Sequence, residues 1–333
     1  MLGKNIKYYR IQKDYSQQEL ADLVGVQKMT ISNYENEKRE PDVEMVKRIC
    51  KVLGVPLSRF MAYKPLRGSE IVLNGSFRKS ENLSSMQEQK IIGQIQYALE
   101  RYLEIADIIG TGCIGMLDTF DTLICKKNND DNAAAMRNIL GFSTRGAISN
   151  LIQTLEDANV FFVQINIAES DFSGYSCWYK SVPIIAYNGM MSVERQRFTI
   201  AHELVHLLFD KQQMLSEKEV DDIAGRFLLP TEDCKRELGT KRKNISTADI
   251  RFLHDEYGVS GACVALRAKQ SGVINYESYK KVSDCKIESC REREIPKRFL
   301  QLVCRAYNEE EISISKVSEL LDVSYAQAEK LCS

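Results

Sequence analysis

The sequence predicts a multidomain protein with an all-α N-terminal domain, an α+β domain and a helical C-terminal region. Its 333 residues exceed what a single hydrophobic core usually holds. The first sixty residues carry only short helical patterns, whereas strand-like runs are confined to residues 160–187. We expect an N-terminal domain at 1–62, a linker and long amphipathic helix at 63–110, the α+β domain at 111–240 and the helical region at 241–333.

Composition excludes several classes of protein. Hydrophobic residues make up 44% of the chain and charged residues 27%, which are ordinary proportions for a folded protein. No apolar run is long enough to span a membrane and no signal peptide pattern opens the sequence, so we expect a cytoplasmic protein with no membrane partner. We also expect the ten cysteines to be reduced in that compartment.

The N-terminal domain is predicted to contain five short helices, at residues 3–13, 16–24, 27–36, 42–53 and 56–61. Ser16 and Glu19 have the spacing of a capping box at the start of the second helix, and Gly25 is placed to end that helix. The segment Val24-Gly25-Val26 fits the tight turn of a helix-turn-helix motif, whose second helix enters the major groove of DNA. Residues 1–60 also hold a basic surplus, with 11 lysines and arginines against 8 acidic residues.

The segment SQQELADLVGVQKMTISNYENEKREP resembles the Xre/Cro-type helix-turn-helix family, and the resemblance covers about 60 residues. It implies binding to an operator-like site on double-stranded DNA, where a homodimer would cover two half-sites. A helical bundle used only for protein contact is the alternative. The residues that we expect to read bases or hold phosphates are Gln17, Gln27, Lys28, Thr30, Ser32, Asn33, Lys38 and Arg39.

The elements that follow alternate between polar and apolar patterns. Residues 64–85 indicate a connector, and residues 86–109 indicate a long amphipathic helix that serves as a spacer or a packing arm. A loop is predicted around 125–132. Helices are then predicted at 133–140 and 146–157, and strands at 160–167, 172–179 and 182–187.

A helix predicted at 195–210 carries the pattern His-Glu-x-x-His. His202 and His206 are four residues apart, so their imidazoles project from adjacent turns of one helix face and can bind a single metal ion. Glu203 points in another direction and can reach a water molecule at the metal. His254, the third histidine of the chain, belongs to a separate helical pattern, and we do not expect it to be a ligand.

A catalytic zinc site needs a third protein ligand besides two histidines. The helix predicted at 216–230 offers Glu217, Glu219, Asp221 and Asp222. We choose Glu219 as the ligand and expect that the aspartates could instead orient a histidine from behind. Two imidazoles and a carboxylate suit Zn²⁺, and manganese or iron can occupy the same ligands.

The segments RFTIAHELVH and EVDDIAGRFLLP resemble the ImmA/IrrE family of metallo-endopeptidases, and the resemblance runs from about residue 145 to 230. It implies a zincin-like metallopeptidase domain with His202, His206 and Glu219 on Zn²⁺ and with Glu203 as the base that takes a proton from the attacking water. Val205 and Val220 replace a glycine and an alanine common in the family, and both can tighten the space around the site.

The two resemblances together imply a DNA-binding transcriptional regulator whose peptidase cleaves a transcriptional repressor or another regulatory protein, with an activity that a signal can gate. An edge strand within residues 172–187 is expected to bind the substrate backbone by strand addition. One alternative is a regulator whose peptidase-like domain is a non-catalytic sensor or partner-binding module. Another is an antitoxin-like or scaffold protein.

The C-terminal region is predicted to contain small helix-turn-helix-like units at residues 247–270 and 297–331. Gly258 and Ser260 mark the turn of the first unit, and Ser324 with Gln327 forms a capping box in the second. The second unit has few basic residues. Packing or protein contact is therefore expected there instead of DNA contact.

Overall fold

The computed structural model describes residues 2–62, 85–110, 123–167, 172–179, 182–209, 215–289 and 291–333. The chain divides into two compact units. Described residues 2–62, 85–110 and 298–333 belong to the first unit, and described residues from 123 to 297 belong to the second. Within these ranges, every helix is too short or too polar to cross a membrane.

The five helices predicted at the N-terminus are confirmed. They are α1 (Leu2–Gln12), α2 (Gln17–Val24), α3 (Lys28–Glu35), α4 (Val43–Leu53) and α5 (Leu57–Ala62). Ser16 and Glu19 form the predicted capping box, and Gly25 ends α2 in the left-handed conformation with a φ of 74°. Ile6, Leu20 and Ile31 lie fully buried between the helices, as expected for the core of a helix-turn-helix domain.

A buried ion pair joins α1 to α3. Arg10 Nη2 lies 3.0 Å from Glu35 Oε2, and both side chains are almost completely buried. Gln17 Nε2 donates to the same carboxylate oxygen at 2.7 Å. This network ties α1 and the first residue of α2 to the far end of α3 and so helps to set the position of α3 in the domain.

The long amphipathic helix is confirmed as α6 (Ser85–Ile108). It packs on α1, where Lys90 Nζ lies 2.7 Å from Asp14 Oδ2 and the ring centroids of Tyr97 and Tyr8 are 5.7 Å apart. These contacts fit the role of a packing arm better than that of a spacer. Most of the connector predicted at 64–85 lies outside the described residues.

The second unit places helices around a three-stranded sheet. The strands are β1 (Phe161–Ile165), β2 (Gly174–Tyr179) and β3 (Val182–Asn188). β3 lies in the centre, parallel to β1 and antiparallel to β2, so β2 is an edge strand in the described sheet. The helices are α7 (Asn129–Ile139), α8 (Leu151–Asp157), α9 (Val193–Leu208), α10 (Glu217–Leu228), α11 (Thr231–Leu238), α12 (Thr247–Tyr257), α13 (Gly261–Gln270) and α14 (Tyr276–Val282).

The loop predicted around 125–132 is wrong in its second half, because α7 begins at Asn129. The side chain of Asn128 caps the helix by accepting the backbone N–H of Asp130. Asp130 and Asp131 then place negative charge in the first turn, where it favours a helix N-terminus. The polar run is therefore the start of a helix.

Helices α12 to α14 do not form a separate C-terminal region with the residues that follow. Ile250, Leu253 and Val264 lie in the same buried core as Leu204 of α9 and Ile223 of α10. Gly258 and the cap Ser260 separate α12 from α13 as predicted. The chain is thus divided differently from the expected boundary at 241.

The last helices are α15 (Arg298–Asn308), α16 (Ile314–Leu321) and α17 (Tyr325–Cys332), and they belong to the first unit. The rings of Tyr102 and Phe299 stack at 6.2 Å between α6 and α15, which agrees with the expected packing role. Cys304 and Cys332 are joined by a disulfide with Cα atoms 4.9 Å apart. The expectation of reduced cysteines is wrong for this pair.

Glu294 anchors the final segment of the second unit on α9. Its carboxylate is paired with Arg197, whose side chain is buried, and it also accepts the backbone N–H of Ile152 on α8. Burial lowers the pKa of Arg197, which shows the cost of burying that cation. Losing the carboxylate would leave the guanidinium buried and unpaired.

We expect Glu294→Ala to lower the free energy of unfolding of the second unit by about 3 to 5 kcal/mol. Trp178, the only tryptophan of the chain, lies on β2 and reports unfolding of this unit by fluorescence during a urea titration. Glu292→Ala, at an exposed position of the same segment, serves as the control and should leave the transition in place. Equal midpoints for the two variants would contradict the anchoring role of Glu294.

Candidate functional site

Helix α9 holds the two histidines between the sheet and α10. Ser192 caps it by accepting the N–H of Arg195, and Glu194 lies in its first turn, both as predicted. His202 is fully buried, whereas the side chain of His206 is about one third exposed. The two Nε2 atoms are 3.0 Å apart, so both imidazoles point to one place.

Glu217, and not the predicted Glu219, completes this cluster. Glu217 Oε2 lies 3.4 Å from His202 Nε2, and its Oε1 lies 3.8 Å from His206 Nε2. One donor atom from each of the three residues lies within 4.8 Å of the other two.

Glu219 does not join the cluster, because its side chain caps the start of its own helix. It occupies the third position of α10, where its Oε2 accepts the backbone N–H of Ser216 at 2.9 Å and the hydroxyl at 2.7 Å. These hydrogen bonds lower the pKa of Glu219. Two residues along a helix are about 200° apart, so Glu217 and Glu219 cannot face the histidines together.

Asp221 orients His202 from behind. It follows Glu217 by four residues and therefore lies on the same face of α10. Asp221 Oδ1 lies 2.9 Å from His202 Nδ1. Because a carboxylate can only accept, this hydrogen bond favours the tautomer with the proton on Nδ1 and the lone pair on Nε2, toward the cluster. This geometry agrees with the expectation that an aspartate of this helix orients a histidine.

Glu203 is buried beside the cluster and is held by the edge strand. Ser176 Oγ on β2 donates to Glu203 Oε2 at 2.7 Å. Gly174 permits the close approach of β2 to α9, because a Cβ atom there would lie 2.4 Å from Thr199 Cγ2 and 3.2 Å from Glu203 Oε1. Burial raises the pKa of Cys177 to about 12, and the nearby Glu203 carboxylate adds to the shift.

The donor atoms fit a zinc ion. Two imidazole nitrogens and one carboxylate are the protein ligands of many catalytic zinc sites. Val205 and Val220, the two departures from the family pattern, are fully buried in the core of this unit. His254 lies apart from the cluster, with Nδ1 2.8 Å from the carbonyl oxygen of Val259, as expected for a bystander.

Ser176 and Glu217 belong to the candidate site by their geometry but were not selected from the sequence. The spacing of four between Glu217 and Asp221 was a usable signal, because it places two carboxylates on one face of α10. Ser176 had no such signal, since its position opposite Glu203 depends on how the edge strand packs on α9.

The surface expected to face DNA is formed by α3 and its flanks. The side chains of Gln27, Lys28, Lys38 and Arg39 are exposed, and those of Thr30, Ser32 and Asn33 are half-buried. Gln17 is the exception, because its side-chain amide is engaged by the buried Glu35.

Two families match separate parts of the chain. The helix-turn-helix family matches residues 6–60. The IrrE N-terminal-like domain of peptidase family M78 matches residues 155–269 and so includes the three strands, α9 to α12 and most of α13.

Three of the similar curated proteins are named as transcriptional regulators or repressors. The SPbeta prophage-derived uncharacterized HTH-type transcriptional regulator YonR of Bacillus subtilis (strain 168) is 38% identical over 55 residues, which are 16% of this chain and 51% of YonR. The cryptic phage CTXphi transcriptional repressor RstR of Vibrio cholerae is 27% identical over 101 residues, 30% of this chain and 90% of RstR. The uncharacterized HTH-type transcriptional regulator MJ0272 of Methanocaldococcus jannaschii is 32% identical over 63 residues, 19% of this chain and 96% of MJ0272. The chain thus spans about half the length of YonR and nearly all of MJ0272.

Zinc affinity distinguishes the two glutamates of α10. We expect Glu217→Gln to weaken zinc binding beyond the loss of about 10- to 100-fold that is typical for removal of an outer partner, because a charged donor leaves the cluster. Glu219→Gln should bind zinc as wild type does, since its amide oxygen can still accept from Ser216. Competition with a chromophoric chelator measures both affinities. If Glu219→Gln loses zinc binding and Glu217→Gln does not, the ligand is Glu219 and not Glu217.

Proposed function

We propose that this protein, which belongs to the helix-turn-helix transcriptional regulators and carries an IrrE N-terminal-like domain, is a DNA-binding regulator with a zinc-dependent endopeptidase of zincin-like architecture. The observation that carries the proposal is the convergence of His202, His206 and Glu217 beside the buried carboxylate of Glu203. We place its action in the cytoplasm, where operator DNA and regulatory proteins are accessible.

The chemistry divides among residues of this chain. When bound by His202, His206 and Glu217, a zinc ion supplies Lewis acidity for hydrolysis. Glu203 accepts a proton from the attacking water and returns it to the leaving amine, and Ser176 holds the carboxylate in place for both transfers. Asp221 keeps His202 in the tautomer that a metal ligand requires.

The substrate that we propose is a protein, most directly a transcriptional repressor. β2 supports this choice, because its outer edge has no strand beside it in the described sheet, and it runs along α9 next to Glu203. An extended substrate segment can pair with that edge through backbone hydrogen bonds. A peptide bond is then presented to the residues around Glu203.

The DNA partner that we propose is an operator-like duplex bound by α3. Exposed Gln27 and Lys28 lie at the start of that helix, which is the part of a helix-turn-helix domain that meets base edges. Lys38 and Arg39 follow its end and are placed for phosphates. Two copies of the chain would cover two half-sites of such an operator.

Replacing the proposed base separates catalysis from binding. We expect Glu203→Gln to retain zinc and to cleave co-expressed candidate repressors about 100- to 10,000-fold more slowly, because the proton acceptor is lost. Fragment formation is followed by intact-mass measurement, and bound zinc is quantified in the same preparations. Glu232→Gln, at an exposed position of α11, is the control and should cleave normally. If zinc-loaded Glu203→Gln reproduces every cellular effect of wild type, the domain is a sensor and not an enzyme.

The DNA surface is tested with Lys28→Ala/Asn33→Ala. Loss of base contacts worth about 1 to 3 kcal/mol each should weaken binding at least about tenfold. Mobility shifts measure this on duplexes that wild-type protein has selected from a random pool. Lys47→Ala, an exposed lysine of α4 away from this surface, is the matched control. Unchanged affinity in the double variant would contradict the placement of α3 on DNA.

A further inference from the structure

A groove lies alongside the metal-ligand cluster within the second unit. It has a volume of about 810 Å³ and is bounded by α9, α10, α13 and α14. This volume lies in the range of about 300 to 1,000 Å³ that is typical of ligand-binding clefts. Neither the metal chemistry nor the DNA surface accounts for it.

Two lining residues of the groove adjoin parts that the proposed peptidase uses. At one end it is lined by Asp221, whose carboxylate orients His202. It is also lined by Ser173, the residue that precedes the edge strand β2. A chain that pairs with β2 and passes the cluster therefore has this groove beside it.

The walls of the groove combine charged and polar residues with a smaller set of apolar side chains. Phe198 of α9 contributes from the helix that carries the histidines, and it lies four residues before His202. Ala262 and Leu266 lie four residues apart on α13 and face the groove from the other side, and Leu266 is 38% exposed. An aliphatic side chain of this size at a cleft gains free energy when an apolar partner covers it.

The basic and the acidic residues at the rim differ in whether their side chains have a partner. Arg195 and Lys218 are exposed lining residues, and in the described part of the chain their side chains make no hydrogen bond or ion pair. The lining acids are already engaged. Glu194 faces His254 at 3.7 Å, Asp221 bonds His202, and Asp222 accepts from Arg226 at 2.9 Å. The charged hydrogen-bond donors that remain for a ligand at this rim are therefore those of Arg195 and Lys218.

We propose that this groove selects the peptide substrate, and that it takes a segment with a bulky apolar side chain flanked by acidic residues. The apolar side chain fits between Phe198 and Leu266, and the carboxylates pair with Arg195 and Lys218. The inference rests on the proposed peptidase activity. The binding preference of the groove can nevertheless be measured without cleavage.

The test uses fluorescein-labelled octapeptides that differ only in the central residue, Phe or Ala, and in the flanking residues, Asp or Lys. Binding to the full-length Glu203→Gln chain is measured by fluorescence anisotropy, so that cleavage does not interfere. The Phe peptide with Asp flanks should bind at least about tenfold tighter than either the Ala peptide or the Lys-flanked peptide. Leu266→Asp should abolish the preference for Phe.

Charge reversal gives the sharper result. In Arg195→Glu/Lys218→Glu the preference should invert, so that the Lys-flanked peptide binds tighter than the Asp-flanked one. Lys241→Glu/Arg251→Glu makes the same change in net charge at exposed positions outside the groove, and it should keep the wild-type preference. Equal affinities for all peptides, or the same inversion in the control variant, would overturn the proposal.

Cleavage of the unlabelled peptides by zinc-loaded wild type is scored separately. Preferential binding without cleavage would support the groove and count against the peptidase. Cleavage at equal rates whatever the central and flanking residues, with no preference in binding, would support the peptidase and overturn the groove.

Discussion

The hydrogen bond from His202 to Asp221 is the constraint on which the candidate site depends. It fixes the ring of a fully buried histidine and directs its second nitrogen toward His206. The rotation of α10, set by its buried face of Val220, Ile223 and Phe227, presents Asp221 to α9 and so permits this bond. Once that face is set, Glu217 is the glutamate one turn earlier that can approach both imidazoles, and Glu219 is left to cap its own helix.

The sequence predicted the elements well where local chemistry decides them. Capping residues such as Ser16, Ser192 and Ser324 stand at helix starts, and the spacing of His202 and His206 places them on one face. The polar run before α7 was predicted to be a loop throughout, because Asn128 and the aspartates that follow it suit a loop and a helix start equally.

The features that the sequence could not supply depend on packing between distant segments. Which glutamate of α10 lies near the histidines depends on the face of α10 that meets α9, and a capping glutamate cannot be told from one that faces the histidines when only its position in the sequence is considered. The grouping of α15 to α17 with α6 depends on contacts such as Tyr102 with Phe299, nearly two hundred residues apart in the chain. No periodic pattern encodes such a contact.

The ligands of the cluster can be located by anomalous diffraction from crystals of the full-length chain grown with zinc. We expect one strong peak in contact with His202 Nε2, His206 Nε2 and a carboxylate oxygen of Glu217, while Glu219 remains bonded to Ser216. A peak ligated by Glu219 would contradict the ligand set. The absence of any peak between the two histidines would contradict the metal site itself.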